Sequence, residues 1–427
     1  MNILFENIRI IEPAGGRDEV ANLWVKDGVI AYIGADAPQV DESTQRVNAA
    51  SYVAAPGFFD MHVHFREPGD ETKETIASGS AAAANGGFTG ALCMPNTNPT
   101  VDDVTVVEYI KSKSANQVTD VHISGAITKD RKGEFIVPML ELTDAGALMF
   151  TDDGNCVMNS EVMRRAFDYA ATRDLLIAQH AEDHPMTKDF AMNESALSYK
   201  LGLKGYPAVA EENMIARDLR LAEYCGNRRY HVCHISSKGS VQLVREAKAK
   251  GLRVTAEAAP HHFTLNESIL DSYNTDLKMN PPLRSQEDVD AIIQGLADGT
   301  IDCIASDHAP HPFHEKDVQF EYASYGIVGL ETSVGIALTR LYHTGAMELP
   351  KVIAALSTNP RRVLGLAQPS LEVGAIANLT ILDPNEEWIV NKRNFKSHSN
   401  NTPFDGMTLK GKAKYAINNN KMSESTL

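Results

Sequence analysis

The sequence predicts a (β/α)8 TIM-like barrel that carries a small β-sandwich domain built from the N- and C-terminal segments. Three observations lead there. Eight short apolar runs recur through the middle of the chain, with helical periodicity between most of them. Both ends are instead rich in short β-prone runs broken by turns. Histidines and aspartates fall at the ends of the apolar runs, where barrels of this kind keep their chemistry.

The N-terminal runs are Ile3-Leu4-Phe5, Ile8-Arg9-Ile10-Ile11 and 29–33, interrupted by turns such as Lys26-Asp27-Gly28. Barrel strands are expected at 58–64, 89–94, 121–127, 147–151, 175–180, 230–235, 253–258 and 301–306. Helices are expected between them, for example at 75–85, 104–114, 161–173, 211–225, 240–250 and 287–298. Short strands return at 377–383, 388–390 and 414–417. The division is therefore residues 1–52 with 370–427 for the small domain, and 53–369 for the barrel.

Composition narrows the class. A chain of 427 residues has room for one large domain and a small one. Apolar residues make up 43% and charged residues 22%, an ordinary globular balance. The net charge of −16 argues against a nucleic-acid partner. No apolar run is long enough to span a bilayer, and the start lacks the basic and apolar regions of a signal peptide. Five cysteines, an odd number with no C-x-x-C pair, fit a reducing, cytoplasmic setting without disulfides or a zinc-thiolate site.

Candidate ligands come from the strand ends. His62 and His64 share a face by strand alternation. Asp152 and Asp153 end the fourth run, His180 the fifth, His234 the sixth and Asp307 the eighth. His231 has the opposite parity to His234, and parity alone does not choose between them. His308 is expected to face away, and His122 lies at the other end of the barrel. His184, His314, His343 and His398 are read as surface or supporting residues, and His261 and His262, after Pro260, as candidate supports behind ligands. The plain alternative, histidines merely satisfied at strand termini, does not explain why so many reach one mouth. Imidazoles and carboxylates together suit zinc, cobalt or manganese. A carboxylate can bridge two ions, which lower the pKa of bound water; another carboxylate can pass a proton to a leaving nitrogen. The implied chemistry is metal-assisted hydrolysis of an amide-like bond.

Several strings make the reading more specific: Asp60-Met61-His62-Val63-His64-Phe65-Arg66-Glu67-Pro68-Gly69, Met94-Pro95-Asn96-Thr97, Phe150-Thr151-Asp152-Asp153-Gly154, Met279-Asn280-Pro281-Pro282-Leu283-Arg284, Ser306-Asp307-His308-Ala309-Pro310-His311 and Asn401-Thr402-Pro403-Phe404-Asp405-Gly406. With these the chain resembles the amidohydrolase superfamily and, within it, the bacterial-type dihydroorotases, nearly end to end. The resemblance implies two divalent ions, zinc first among them. His62, His64 and Asp307 would hold one, His180 and His234 the other, and Asp153 would bridge. The fourth strand has no lysine to serve as a carboxylated bridge, which weighs against a hydantoinase or allantoinase. Asp152 would then be a neighbour. Arg66, Asn96 and His311 would hold the substrate carboxylate and Asn280 the ring, with Asp307 as the proton carrier. The implied reaction interconverts dihydroorotate and carbamoyl-aspartate, in a homodimer with a pyrimidine-pathway enzyme as a further partner. The alternatives are another cyclic amidase, or an inactive homologue scaffolding such a partner. One departure is visible: Ser324-Tyr325-Gly326 stands where the family commonly has Pro-Phe-Gly. Losing that proline frees a backbone donor and is expected to loosen the loop.

Overall fold

Eight parallel strands alternate with helices through the middle of the chain, and the computed structural model describes all residues, Met1–Leu427. The barrel strands are Phe58–Val63, Phe88–Cys93, Asp120–Gly125, Ala147–Phe150, Leu176–Gln179, Tyr230–Val232, Val254–Ala258 and Cys303–Ile304. They pair in sequence order. The eighth meets the first only through the bridge Val63–His308, where the His64 N–H donates to the His308 carbonyl at 2.9 Å. The Asp60 carboxylate reinforces this seam. It accepts from the Ser306 N–H at 3.0 Å and the His62 N–H at 3.1 Å.

All eight expected strands are present, and the six expected helices fall within a few residues of their places. The first of these, Ile76–Asn85, begins with a capping box between Thr75 and Ser78. Several helical stretches had no expectation attached, the longest being Met139–Ala145, Ser333–Ala337 running on through Leu338–Tyr342, Leu349–Leu356 and Thr358–Leu364. The last packs under the barrel, where its Val363 and Leu364 join Phe59, Met61 and Leu92 in the interior cluster.

The first strand is not a simple alternating ribbon. Its register shifts between Asp60 and Val63, the mark of a β-bulge. Phe59 and Met61 belong to the interior cluster, whereas Phe58, Val63 and Phe65 pack in the outer layer beneath the helices. The bulge lets His62 follow Met61 inward.

Both chain ends form one mixed sheet of eight strands. It runs from Lys421–Glu424 through Thr408–Asn418, Leu379–Ile389, Val53–Pro56 and Asn2–Glu12 to Arg17–Lys26 and Val29–Gly34, with Gln45–Asn48 beside Asn2–Glu12. Phe5 and Tyr415 lie on strands with two others between them, yet their ring centroids are 5.7 Å apart. Flat strands spaced about 4.8 Å would hold them far further apart. The sheet therefore curls over its own core, and the expected sandwich is built from one continuous sheet.

Candidate metal centre and substrate pocket

His62 and His64 leave the end of the first strand, and the other candidates converge on them. The Asp153 carboxylate lies 3.3 Å from His62 Nε2, 3.5 Å from His64 Nε2, 3.5 Å from His234 Nε2 and 3.8 Å from His180 Nδ1. Asp307 Oδ1 is 3.1 Å from His64 Nε2 and 3.6 Å from His62 Nε2. All six side chains are buried. Asp152 points elsewhere: its carboxylate accepts the N–H groups of Ile127 and Thr128, each at 2.9 Å, and the Thr128 hydroxyl. Of the adjacent pair, only Asp153 stands among the imidazoles.

Local backbone conformations aim two of these groups. His234 has φ of 27° and Asp307 φ of 49°, both in the left-handed region that non-glycine residues rarely occupy. The sixth strand stops at Val232, and the turn at His234 brings its ring to the centre. His231 instead lies deeper, with Nδ1 on the Thr255 hydroxyl at 2.8 Å and Nε2 3.3 Å from Glu257. His308 faces away, towards Glu74 at 3.2 Å.

Three groups behind the histidines fix which nitrogen carries the proton. Glu257 Oε1 takes His62 Nδ1 at 2.5 Å, Asn96 Oδ1 takes His64 Nδ1 at 2.8 Å and Glu182 Oε2 takes His180 Nε2 at 2.9 Å. Each acceptor leaves the opposite nitrogen's lone pair aimed at Asp153. Lone pairs and carboxylate oxygens thus converge on one point, and the cluster needs a cation, a proton or a metal ion, between them. His62 Nε2 and Asp153 Oδ1 are buried without a hydrogen-bond partner. Two overlapping triads, His62–His64–Asp153 and Asp153–His180–His234, each bring three ligand atoms within 4.8 Å of one another. This donor set fits divalent cations. The electrostatics agree. Burial opposes charge on His62, but Asp153 and Glu257 outweigh it and hold its pKa well above the usual value. Burial likewise opposes ionisation of Asp153, and His62 and His234 hold its pKa well below the carboxylate range. Burial pushes the Cys233 thiol up to about 12, so no thiolate competes.

A cavity of about 480 Å³ opens above this cluster and brings in Arg66, Asn96, Asn280 and His311. Arg66 does not arrive by strand alternation: the strand ends at Val63, and Arg66 sits at φ of 62°. Its Nε is buried with no partner, and its Nη2 is 3.5 Å from His311 Nε2. Asn280 gives its amide N–H to Glu182 at 2.8 Å, leaving Oδ1 buried and unpaired.

The loop after the eighth strand closes the other side, and the expectation of a loose loop fails. Ser324, in the proline position, donates its N–H to the Glu315 carbonyl at 3.1 Å and its hydroxyl to Glu315 Oε2 at 2.8 Å. The freed donor is used as a tether. Tyr325 stacks on Phe190 at 4.7 Å and donates its hydroxyl to the Phe190 carbonyl. Lys316 Nζ is buried against the carbonyls of Ser324, Gly326 and Lys278, at 2.8, 2.9 and 3.2 Å. Lys278 Nζ lies 4.4 Å from the Tyr325 ring centre and donates to the Glu321 carbonyl at 2.8 Å. Glu315 Oε2 also takes His311 Nδ1 at 2.8 Å, while His311 Nε2 meets the Tyr325 carbonyl at 2.8 Å.

Sequence reasoning did not find Glu257, Glu182, Lys278, Lys316 or Glu315. Glu257 alone left a signal, as a carboxylate inside the apolar run of the seventh strand.

Comparisons with known proteins agree with this geometry. A family model described as "Dihydro-orotase-like" matches residues 51–240. The chain is 46% identical over 411 residues to a dihydroorotase of Pelotomaculum thermopropionicum, covering 96% of each chain. It is 46% identical over 436 residues to one of Chlorobaculum tepidum, covering 99% of each. Among solved structures, an L-hydantoinase from Arthrobacter aurescens shares the fold, with a TM-score of 0.87 at 24% identity, over 99% of this chain and 96% of that one. With near-full-length identity to dihydroorotases on a barrel whose mouth gathers four histidines around one aspartate, the chain belongs to the dihydroorotase family.

Proposed function

We propose that this chain interconverts L-dihydroorotate and N-carbamoyl-L-aspartate at a two-metal site, with zinc as the resident ion. His62, His64 and Asp307 would hold one ion, His180 and His234 the other, with Asp153 between them. When bound, such ions acidify water and polarise the amide carbonyl. In the hydrolytic direction Asp307 takes the proton from the attacking water on a carboxylate oxygen and returns it to the leaving ring nitrogen. Burial opposes its ionised form, but the His64 hydrogen bond and the His62 and His234 charges hold its pKa low, so it starts as a base. Arg66, Asn96 and His311 orient the substrate carboxylate, and Asn280 Oδ1 accepts from the ring.

The observation that carries this reading is the unpaired Arg66 Nε in the pocket above Asp153. A buried guanidinium edge matches a substrate carboxylate. A neutral hydantoin or allantoin ring would leave it unpaired, and a scaffold would have no need of the ligand set. Arg66→Met should raise KM for both dihydroorotate and carbamoyl-aspartate about tenfold to more than a hundredfold, the worth of a lost charged hydrogen bond. Metal content should stay at the wild-type level. Unchanged KM in both directions would remove Arg66 from the site.

The proposal extends to the cell and the assembly. A homodimer, a cytoplasmic setting and a pyrimidine-pathway enzyme partner rest on family membership. No helix is long and apolar enough to cross a membrane. The division into residues 1–52 with 370–427 and 53–369 is supported in outline by the terminal sheet's own cluster of 16 buried residues, but Val53–Pro56 is a strand of that sheet, so the boundary falls after Pro56.

A further inference from the structure

A second cavity, about 510 Å³, opens at the N-terminal end of the barrel, opposite the catalytic mouth. It lies between the helix Thr358–Leu364 and the terminal sheet. Phe59 forms its inner wall. Arg361 lies over that ring at 5.3 Å, and the His122 ring centre is also 5.3 Å from it. Two basic groups therefore share one aromatic side chain.

Arg361 is only 4% exposed, and no carboxylate forms an ion pair with it. Its Nη1 serves the Gly57 and Ser357 carbonyls. Its Nη2 reaches only Thr89 Oγ1, at 3.4 Å. Its Nε–H has no protein partner and is not sealed from the cavity. Neither ring nitrogen of His122 has a partner either. Asn378 accepts from the Thr89 hydroxyl at 2.6 Å, but its amide N–H group is unused. The one carboxylate on the wall, Asp120, is occupied by the amides of Asn418 and Asn419, at 2.9 and 2.8 Å. Burial and then the Arg361 charge, against the opposing pull of Asp120, lower the His122 pKa, so the ring offers one N–H as a neutral donor.

A buried guanidinium whose one nearby counter-charge, Asp120, makes no ion pair with it is costly, and its planar edge suits an oxyanion. Leu366 and Ile376 supply apolar walls. We propose that this cavity binds a small oxyanion ligand, the carboxylate or phosphate of an organic metabolite, through Arg361 Nε, His122 and Asn378. The site is separate from the catalytic pocket and does not depend on the reaction assigned there.

Calorimetric titration of the metal-loaded full chain with inorganic phosphate and, separately, with malonate tests it. His122→Leu keeps the packing on Phe59 and removes only unpaired nitrogens, so it leaves the fold and steady-state turnover intact. Arg361→Gln removes the charge but also disturbs the Gly57 contact, so His122→Leu decides the matter if the arginine variant fails to fold. We expect at least one anion to bind about fivefold or more weakly to His122→Leu, and more weakly still to Arg361→Gln. Loss confined to phosphate identifies a phosphorylated ligand; loss confined to malonate identifies a carboxylic acid. Equal binding by wild type and His122→Leu, or no binding of either anion in the millimolar range, overturns the proposal.

Discussion

The two sides of the catalytic pocket are held in different ways. On one side, the His and Asp cluster stands on strand ends and is locked side chain to side chain, as Glu257 holds His62 and Glu182 holds His180. On the other, the loop 311–326 has little regular structure and is held by side chains gripping backbone, with Lys316 on three carbonyls and Tyr325 on the Phe190 carbonyl. The first arrangement fixes a charged centre to rigid elements and tolerates little movement. The second fixes a surface that meets the variable part of a substrate, and each tether can be loosened alone. Damage on the first side should therefore remove metal and activity together. Damage on the second should change substrate affinity and leave the metal.

The largest effect should come from Asp153. Asp153→Ala removes the carboxylate that faces all four imidazoles, so metal content and activity should fall together by more than about a hundredfold, the upper range for losing a single supporting group. Asp152→Ala removes acceptors for the Ile127 and Thr128 N–H groups. It should lower thermal stability while keeping most of the metal. Elemental analysis of both variants, beside their turnover, checks this. Metal retained by the Asp153 variant and lost by the Asp152 variant would reverse the assignment.

Lys316 tests the other side. Lys316→Met keeps the stem and strands three buried carbonyls, a local cost of roughly 1.5–3 kcal/mol. KM should rise several-fold, backbone amides across 321–326 should exchange faster with solvent, and metal content should not change. If metal were lost as well, the two sides would be one cooperative unit and the contrast would fail.

The same contrast explains what the sequence revealed. His62, His64, His180 and Asp307 were legible because they stand at the ends of apolar runs, although a positive φ, not strand alternation, aims Asp307. His234 was not settled by parity, because a positive φ, not strand alternation, turns its ring. The bulge between Asp60 and Val63 left no mark in the residue pattern either, though it sends His62 inward. Asp153 needed the resemblance to separate it from Asp152, whose role is to cap two backbone N–H groups. The loop was least legible. A missing proline suggested looseness, but Ser324 can tether only to a Glu315 that the fold brings beside it. Contacts of side chains with distant backbone carry no sequence period to read.

The smallest expected effect lies one layer behind the loop. Asn401 supports it, taking the His311 N–H at 3.0 Å and donating to the Gly326 carbonyl at 3.1 Å. The segment leading to Asn401 is anchored by Glu331, which accepts from Asn85 at 2.6 Å and from the Lys396 N–H at 2.7 Å. Burial raises the Glu331 carboxyl to about 7, against the pull of those donors, and the nearby Glu74 adds to the rise. The unfolded chain would release that proton near 4.3. A folded pKa above the unfolded one means that the folded state binds the extra proton, so the contribution is full below about 4.3 and is lost as pH rises through about 7. Glu331→Gln mimics the protonated group at every pH. Urea unfolding at pH 5 and pH 8 should show the wild type losing stability across that window by on the order of 2 kcal/mol from this group. The variant should show a flatter profile with metal content and kcat near wild type. An equally steep decline in the variant would place the titrating group elsewhere and leave Glu331 as a hydrogen-bond acceptor alone.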